Sequence, residues 1–159
     1  MFSICLLLHF NLRNMLIREI QQNDNAQIAQ VIREIFHELD APKVGTAYAD
    51  PILDTLFEVY QEKRTKYYVL EKEGKVVGGC GISPLENGDA SVCELQKMYF
   101  LPETRGKGIG SEMMAICLQS AREFGFEKCY LETLPQMLIA QHIYRKIGFE
   151  YLCHPLGNT

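Results

Sequence analysis

A short glycine-rich segment between a predicted strand and a predicted helix constrains the fold of this chain more than any other feature. The segment runs from Arg105 to Gly110 and follows a β-rich run, Glu94 to Phe100. Its three glycines within five residues allow a tight turn and leave the backbone N–H groups open to a ligand. Because a helical pattern follows at once, these N–H groups become unpaired donors at the positive end of a helix dipole. The segment therefore predicts a binding site for phosphate or pyrophosphate.

Two common phosphate-binding motifs do not fit the spacing of these glycines. A dinucleotide fingerprint needs a further glycine where Ser111 stands. A Walker A loop needs Ser or Thr directly after Lys107, where Gly108 stands. The pattern that fits is Arg/Gln-x-x-Gly-x-Gly/Ala, with Arg105, Gly108 and Gly110 in its fixed places.

Two downstream segments extend this pattern. Tyr130 to Thr133 has the composition of the next strand, and Ala140 to Phe149 has the form A-x-x-x-Y-x-x-x-G-F. In this order and at these distances, the three segments resemble the GNAT family, the Gcn5-related N-acetyltransferases that use acetyl-coenzyme A. The resemblance covers residues 15 to 155. It implies a mixed α/β (α+β) fold, with a central, mostly antiparallel sheet whose splayed strands are flanked by helices.

The periodicity of the chain predicts the element order β-α-α-β-β-β-α-β-α-β. Strands are expected at residues 16–20, 67–70, 76–82, 91–101, 127–133 and 149–153. Helices are expected at residues 24–39, 51–62, 107–124 and 135–147. In the last helix, we expect Ile139, Ile143 and Ile147 to face the core.

The central strand has a break in its alternation. Cys93 and Leu95 would share one face of a regular strand, whereas Met98 and Phe100 would share the other. An extra residue near Gln96 and Lys97 would bring all four side chains to one face, so we predict a β-bulge there. In the family that the chain resembles, the pantetheine arm of the cofactor lies between two strands splayed at this point.

Length and charge limit the classes of function. A chain of 159 residues is sufficient for one domain with a sizeable core. The net charge of −4 and the scattered Lys and Arg residues argue against a nucleic-acid or membrane partner. The four histidines show no metal-ligand spacing, and we predict no metal.

The cysteine pattern favours a reduced, cytoplasmic protein over a disulfide framework. The cysteines form no C-x-x-C pair, and several lie in apolar runs, where a free thiol behaves as a small hydrophobic group. They are Cys5, Cys80, Cys93, Cys117, Cys129 and Cys153.

Both ends of the chain depart from the family pattern. Residues 1–14 contain an apolar run too short to span a bilayer, with neither the positive start nor the cleavage site of a secretion signal. We interpret them as an extension before Met15. Residues 15–159 are expected to form a single domain that lacks the usual last strand. Such a domain would expose a sheet edge, and a homodimer is one way to cover it.

Acetyl transfer to an amine needs a base, a donor to the carbonyl oxygen and an acid for the leaving thiolate. The resemblance places the acid at Tyr144, although its helical spacing also suits a core aromatic. It places the base at Glu94, acting through a water, although an ordinary strand glutamate is equally consistent. Glu132 on the next strand is the competing carboxylate. The carbonyl donor is expected to be the backbone N–H of Met98.

Cofactor contacts are expected along the bulged strand and the glycine-rich segment. They are Met98, Tyr99, Phe100, Arg105, Gly106, Lys107, Gly108, Ile109, Gly110 and Ser111. The acceptor amine is expected near the loop that contains Lys43, Thr46, Tyr48 and Asp50, because the first two helices of the family usually cover that site.

The sequence therefore predicts an acetyl-CoA-dependent N-acetyltransferase. Its acceptor would be a primary amine of a small molecule or peptide, attacking directly in a ternary complex, because no cysteine lies in a motif typical of an acetyl-enzyme. The alternative is a non-catalytic acyl-CoA-binding regulatory module, which would need the glycine loop but neither Tyr144 nor Glu94.

Overall fold

A computed structural model describes residues 14–157 and contains one five-stranded sheet with the strand order β1-β2-β3-β4-β5. The first four strands are antiparallel neighbours, and β5 lies parallel to β4. The strands are β1 Met15–Glu19, β2 Lys66–Lys72, β3 Lys75–Pro84, β4 Val92–Phe100 and β5 Lys128–Tyr130. This architecture confirms the expected mixed fold with a mostly antiparallel sheet.

Helices cover both faces of the sheet. They are α1 Asn25–Glu38, α2 Leu56–Val59, α3 Ile109–Glu123 and α4 Leu138–Ile147. The apolar side chains of α1 and α2 pack on one face of the sheet, and those of α3 and α4 pack on the other. The sheet therefore separates two hydrophobic layers, and the glycine-rich loop connects the end of β4 to α3.

The predicted β-bulge in β4 is confirmed. Gly79 pairs with Tyr99 and Gly81 with Gln96, so one residue of β3 faces two residues of β4. Lys97 is one of the two and has a φ of +50°. The bulge shifts the alternation of β4, so that the residues before and after it pack into the same layer. These are Cys93, Leu95, Met98 and Phe100.

Two residues of β3 beside this bulge are glycines. Aromatic rings occupy the space that a side chain at either position would need. A Cβ on Gly79 would lie 2.6 Å from Cε1 of Tyr67, and one on Gly81 would lie 2.5 Å from Cδ2 of the same ring. The hydroxyl of Tyr67 donates to the carbonyl of Lys97 at 3.0 Å. These glycines allow the ring of Tyr67 to approach the backbone closely, so that its hydroxyl holds the bulge in place.

The strands β4 and β5 separate soon after they meet. They pair only from Val92 to Glu94 and from Lys128 to Tyr130. The strand predicted at residues 127–133 is therefore shorter in the structure, because its later residues no longer pair with β4. The separation opens a cleft beside the bulge, as the resemblance implied.

The second helix differs from the prediction for residues 51–62. Pro51–Thr55 forms a 3-10 helix, and only Leu56–Val59 is α-helical. Asp50 caps this segment by accepting a hydrogen bond from the N–H of Ile52 at 3.0 Å. The buried side chains of this segment are Leu53, Leu56 and Tyr60. A 3-10 turn has fewer residues than an α-helical turn, so different residues share one face of the segment.

The strand predicted at 149–153 is wrong, since these residues form no regular element. The segment turns back over α4, where the N–H of Phe149 donates to the carbonyl of Tyr144 and the Tyr151 hydroxyl donates to Oε1 of Gln141. A strand requires a neighbouring strand for its backbone hydrogen bonds, and this segment packs on a helix instead.

The predicted core face of α4 is also wrong in part. Ile139 is 77% exposed and Ile147 is 41% exposed, whereas Tyr144 is the buried residue of this helix. Ile143 packs against the core from the side. Gly148 follows the helix with a φ of +114°, and the predicted end at residue 147 is confirmed.

The N-terminal extension proposed for residues 1–14 lies outside the described residues, except for Asn14. None of the helices within residues 14–157 combines the length and apolar character needed to cross a bilayer. Over the same range, no group of three or more His, Cys, Asp or Glu side chains is arranged to hold a metal ion.

Candidate active site

A cavity of about 580 Å³ lies where β4 bulges and β5 turns away. Its walls come from the loop before α2, from β4, from the segment after β5 and from α4. The cavity brings together predicted site residues that are far apart in the sequence. These are Glu94, Met98, Tyr99, Glu132 and Tyr144.

Tyr144 projects from α4 into the layer beneath the bulge. Its side chain is buried, and its hydroxyl lies 3.9 Å from Sδ of Met98, to which it donates a weak hydrogen bond. The ring also packs edge-on against Phe149, with the ring centroids 6.0 Å apart. Burial raises the pKa of Tyr144 above its ordinary value, because it disfavours the phenolate. The residue is therefore a protonated phenol at the wall of the cavity.

Glu94 is half-buried on β4 just before the bulge. Its Oε2 accepts a hydrogen bond of 2.6 Å from Nε2 of Gln96. Burial raises the pKa of Glu94, and the negative charges of Glu132 and Glu86 raise it further, while the Gln96 hydrogen bond opposes the rise. A carboxylate with a raised pKa is a better proton acceptor than an exposed one.

Glu132, the competing carboxylate, lies on the segment that leaves β5. It is exposed, and its Oε1 accepts a hydrogen bond of 2.8 Å from the hydroxyl of Tyr130. Both glutamates therefore reach the cavity, but Glu94 is the one withdrawn from solvent.

The glycine-rich segment forms an open turn that leads into α3. Gly108 precedes the first residue of the helix and has a φ of +76°, a conformation that glycine adopts without strain. The helical hydrogen bonds begin with the N–H of Glu112, which donates to the carbonyl of Gly108. The N–H groups of Ile109, Gly110 and Ser111 precede this bond, so the helix supplies no acceptor for them.

One side of this turn faces open space, and the opposite side contacts β4 at the bulge. A Cβ built on Gly106 or Gly108 would meet no heavy atom of the described residues within 4 Å, although one on Gly110 would lie 3.3 Å from Cε of Met98. The turn thus presents backbone to open space beside the bulge.

The charged side chains of the loop bind protein groups. The guanidinium of Arg105 makes two hydrogen bonds to Glu38, of 2.6 and 2.7 Å, and its Nε donates to the carbonyl of Phe100 at 2.9 Å. Lys107 donates to the carbonyl of Glu103 at 2.8 Å. Arg105 therefore anchors the loop to the end of α1 and to the end of β4.

Removing the anchor is expected to loosen the loop without dismantling it. In Glu38→Gln, we expect coenzyme A affinity to fall about two- to fivefold, while stability falls by less than about 1 kcal/mol, because the ion pair is largely exposed. Isothermal titration calorimetry and thermal unfolding measure the two effects. Asp54→Asn is the matched control, since it removes a similar bidentate pair with Arg33 away from the loop. An equal loss of affinity in both variants would contradict the anchoring role.

The loop expected near the acceptor contributes two of its four residues. Thr46 and Asp50 line the cavity. Asp50 accepts a hydrogen bond of 2.7 Å from Nζ of Lys97, so the loop is tied to the bulge. Lys43 lies 5.1 Å from the ring centroid of Tyr48, whose hydroxyl is 3.3 Å from Nε2 of His37. These two residues stabilise the loop rather than line the cavity.

Sequence reasoning missed three polar residues of the cavity. The hydroxyl of Tyr60 donates to Oε1 of Gln96 at 2.8 Å. The hydroxyl of Thr133 is buried in the cleft and has no hydrogen-bond partner within residues 14–157. No motif marks these positions, because their proximity depends on the bulge and on the divergence of β5.

Comparison with known proteins gives a consistent picture at the level of family. A model of the Acetyltransferase (GNAT) family matches residues 30–149. The Escherichia coli protein named Uncharacterized N-acetyltransferase YjgM is 46% identical over 144 residues, which cover 89% of this chain and 86% of that protein. Human N-acetyltransferase 8B is 31% identical over 117 residues, which cover 69% of this chain and 52% of that protein.

Solved structures share the fold. An acetyltransferase of the GNAT family from Staphylococcus aureus superposes with a TM-score of 0.76 at 20% identity, covering 86% of this chain and 83% of that one. A predicted acetyltransferase from Clostridium acetobutylicum, solved with acetyl-CoA, has a TM-score of 0.73 at 17% identity and covers 91% of this chain and 96% of that one. At these identities, the likeness concerns the fold alone.

Proposed function

The chain belongs to the GNAT family and is an N-acetyltransferase, and from this premise we propose that it moves an acetyl group from acetyl-CoA to a primary amine. The acceptor is the amine of a small molecule or peptide, which attacks directly in a ternary complex. The observation that carries the proposal is the shared cavity, in which Glu94 and Tyr144 both flank the cleft beside the bulge.

The residues of this chain fit acetyl-CoA, which supplies the acetyl group as an activated thioester. The open backbone at Gly106 and Gly108 supports a seat for the diphosphate, since side chains there would fill the space in front of the turn. The cleft between β4 and β5 supports a seat for the pantetheine arm. The unpaired hydroxyl of Thr133 in that cleft is available to hydrogen-bond an amide of the arm.

The charge of the cavity supports an amine acceptor. Its lining includes the carboxylates of Asp50, Glu86, Glu94 and Glu132, and one lysine, Lys97, whose charge is paired with Asp50. A protonated amine is attracted into such a cavity, while an anionic group is repelled. This balance favours a cationic acceptor over a nucleic acid or other polyanion.

Each proton has a place to go in direct transfer. Glu94, through a water, accepts the proton that the ammonium must lose before its nitrogen attacks. The backbone N–H of Met98 is the proposed donor to the carbonyl oxygen, and the hydroxyl of Tyr144 gives a proton to the departing thiolate. The second proton that the nitrogen loses, from the tetrahedral adduct, restores the Tyr144 hydroxyl. Within residues 14–157, no cysteine lines the cavity, which supports direct attack over an acetyl-enzyme.

The pH dependence of kcat/KM tests the base. Glu94 must be ionised to accept a proton, so kcat/KM is expected to fall as the pH drops through its pKa. Because burial raises that pKa, the acidic limb lies above pH 4.5, the ordinary value for glutamate. In Glu94→Gln, we expect kcat/KM to fall about three- to tenfold on the plateau and the acidic limb to disappear.

Glu132→Gln is the matched comparison, because it removes the other carboxylate of the cavity. We expect its acidic limb to persist and to shift to lower pH, since the negative charge of Glu132 raises the pKa of Glu94. If Glu132→Gln abolishes the limb while Glu94→Gln retains it, the base has been assigned to the wrong carboxylate.

The activity itself is tested with a panel of amines and a thiol-release assay. The panel includes amino acids, polyamines, aminoglycosides and peptide N-termini, with acetyl-CoA as donor. Release of coenzyme A that depends on a cationic amine is the expected result. Tight binding of acetyl-CoA without transfer to any acceptor would instead favour the regulatory module.

A further inference from the structure

We propose that Tyr60 and Gln96 form a hydrogen-bonded relay that orients Glu94 as the base, so that both are positioning residues for proton transfer. The inference rests on the proposed function, because it gives Glu94 a catalytic role. The relay joins Tyr60, the residue directly after α2, to the bulged strand.

The direction of each hydrogen bond in the relay is fixed by chemistry. An ionised carboxylate only accepts, so the amide of Gln96 must turn its NH2 group to Oε2 of Glu94, at 2.6 Å. The amide oxygen of Gln96 then faces Tyr60, whose hydroxyl donates to it at 2.8 Å. If the amide were rotated, its oxygen would face the carboxylate and two acceptors would be in contact. The ionised carboxylate therefore sets the amide orientation, and the Tyr60 hydroxyl secures that orientation by donating to the amide oxygen.

The fold holds Tyr60 firmly in this place. The residue is 6% exposed, and its ring packs on Tyr67 with the ring centroids 5.0 Å apart. Gly81, the partner of Gln96 across the sheet, leaves room for the ring, since a Cβ there would lie 2.8 Å from Cε1 of Tyr60. The hydroxyl of Tyr60 consequently has little freedom to leave Gln96.

The relay leaves one oxygen of Glu94 for the reaction. Oε2 is occupied by Gln96, whereas Oε1 has no hydrogen-bond partner within residues 14–157. A carboxylate held through one oxygen presents the other in a defined direction, which is the geometry that a base needs. Tyr60, Gln96 and Glu94 all line the cavity. The other charged groups that act on the pKa of Glu94 are Glu132 and Glu86, which raise it, and Lys97, which lowers it, and the variants below leave all three in place.

Tyr60→Phe removes the hydroxyl while keeping the ring. The Gln96 amide then loses the partner that holds its NH2 group on Glu94, so the hydrogen bond that favours the ionised carboxylate weakens and the acidic limb of kcat/KM is expected to move to higher pH. At pH 6, we expect kcat/KM to fall about three- to fivefold relative to the wild type, with a smaller loss on the plateau. Gln96→Leu is expected to move the limb in the same direction and further.

The double variant distinguishes a relay from two independent effects. Once Leu replaces Gln96, the Tyr60 hydroxyl has no route to Glu94, so adding Tyr60→Phe should not move the limb again. Tyr68→Phe is the matched control, because it removes a buried hydroxyl hydrogen bond of 2.7 Å to Ser120 on the other face of the sheet. Its acidic limb should coincide with that of the wild type.

Carbon-13 NMR of the Glu94 carboxyl group separates the relay from the catalytic role. The signal is assigned by its loss in Glu94→Gln, and its pH titration in the wild type and in Tyr60→Phe needs no turnover. An unchanged titration in Tyr60→Phe would overturn the relay. A shifted titration with an unmoved kinetic limb would overturn its role in positioning the base. If the wild-type protein acetylates no amine, the proposed function is contradicted. The NMR titration of Glu94 still shows whether Tyr60 acts on its carboxylate through Gln96.

Discussion

Gly108→Val is expected to reduce the affinity for coenzyme A at least about a hundredfold, or about 2.7 kcal/mol. Gly108 has a φ of +76°, and a Cβ at this position would meet no described protein atom within 4 Å. A valine would place its branched side chain in this space, where we expect the diphosphate, and would also disfavour the left-handed backbone. Isothermal titration calorimetry with coenzyme A measures the loss.

The backbone strain needs a control of its own, because valine is unfavourable at any positive φ. Gly125 has a φ of +78° at the other end of α3, and a Cβ there would also meet nothing within 4 Å among the described residues. Gly125→Val should therefore lose a similar stability, about 1–3 kcal/mol, while retaining its affinity for coenzyme A. Normal affinity for coenzyme A in Gly108→Val, or an equal loss of affinity in both variants, would contradict diphosphate binding at the glycine-rich loop.

Tyr144→Phe is expected to lower kcat at least about tenfold, or about 1.4 kcal/mol, with little change in coenzyme A affinity. The phenol is buried beside Met98 and stays protonated at neutral pH, because burial raises its pKa. Phenylalanine preserves the packing against Phe149 but removes the proton that the departing thiolate requires. Steady-state kinetics at saturating acetyl-CoA, together with calorimetry, measure the two quantities.

Tyr151→Phe provides the comparison for this variant. Tyr151 is exposed and bonds Gln141 on the same helix as Tyr144, yet it lies outside the cavity between β4 and β5. We expect its kcat to match the wild type. If Tyr144→Phe also retains full turnover, Tyr144 is a core aromatic and another group protonates the thiolate.

Local chemistry explains what the sequence could predict. The tight turn before α3 follows from three closely spaced glycines, although the helix begins at Ile109 and not at residue 107 as predicted, because Gly108 has a positive φ. The bulge at Lys97 follows from the shifted alternation of apolar residues on either side of it. Both features are determined by residues that are neighbours in the chain. The glycine loop, the bulge and the central strand were therefore within reach of sequence reasoning.

Features that depend on distant partners were not predictable in the same way. The alternation of Phe149 to Cys153 suits a strand, but the segment lies over α4 and finds no strand partner within residues 14–157. Tyr60 reaches Gln96 from 36 residues away, and only the tertiary fold brings them together. The regular spacing of Ile139 and Ile147 likewise did not reveal that α4 turns its Tyr144 side inward.

A crystal structure with bound acetyl-CoA tests the central claim most directly. We expect the diphosphate on the backbone N–H groups between Arg105 and Ser111, and the pantetheine arm in the cleft between β4 and β5. The thioester should then lie between Glu94 and Tyr144. A nucleotide bound elsewhere, or N–H groups of the loop already satisfied by the protein in that complex, would contradict the account.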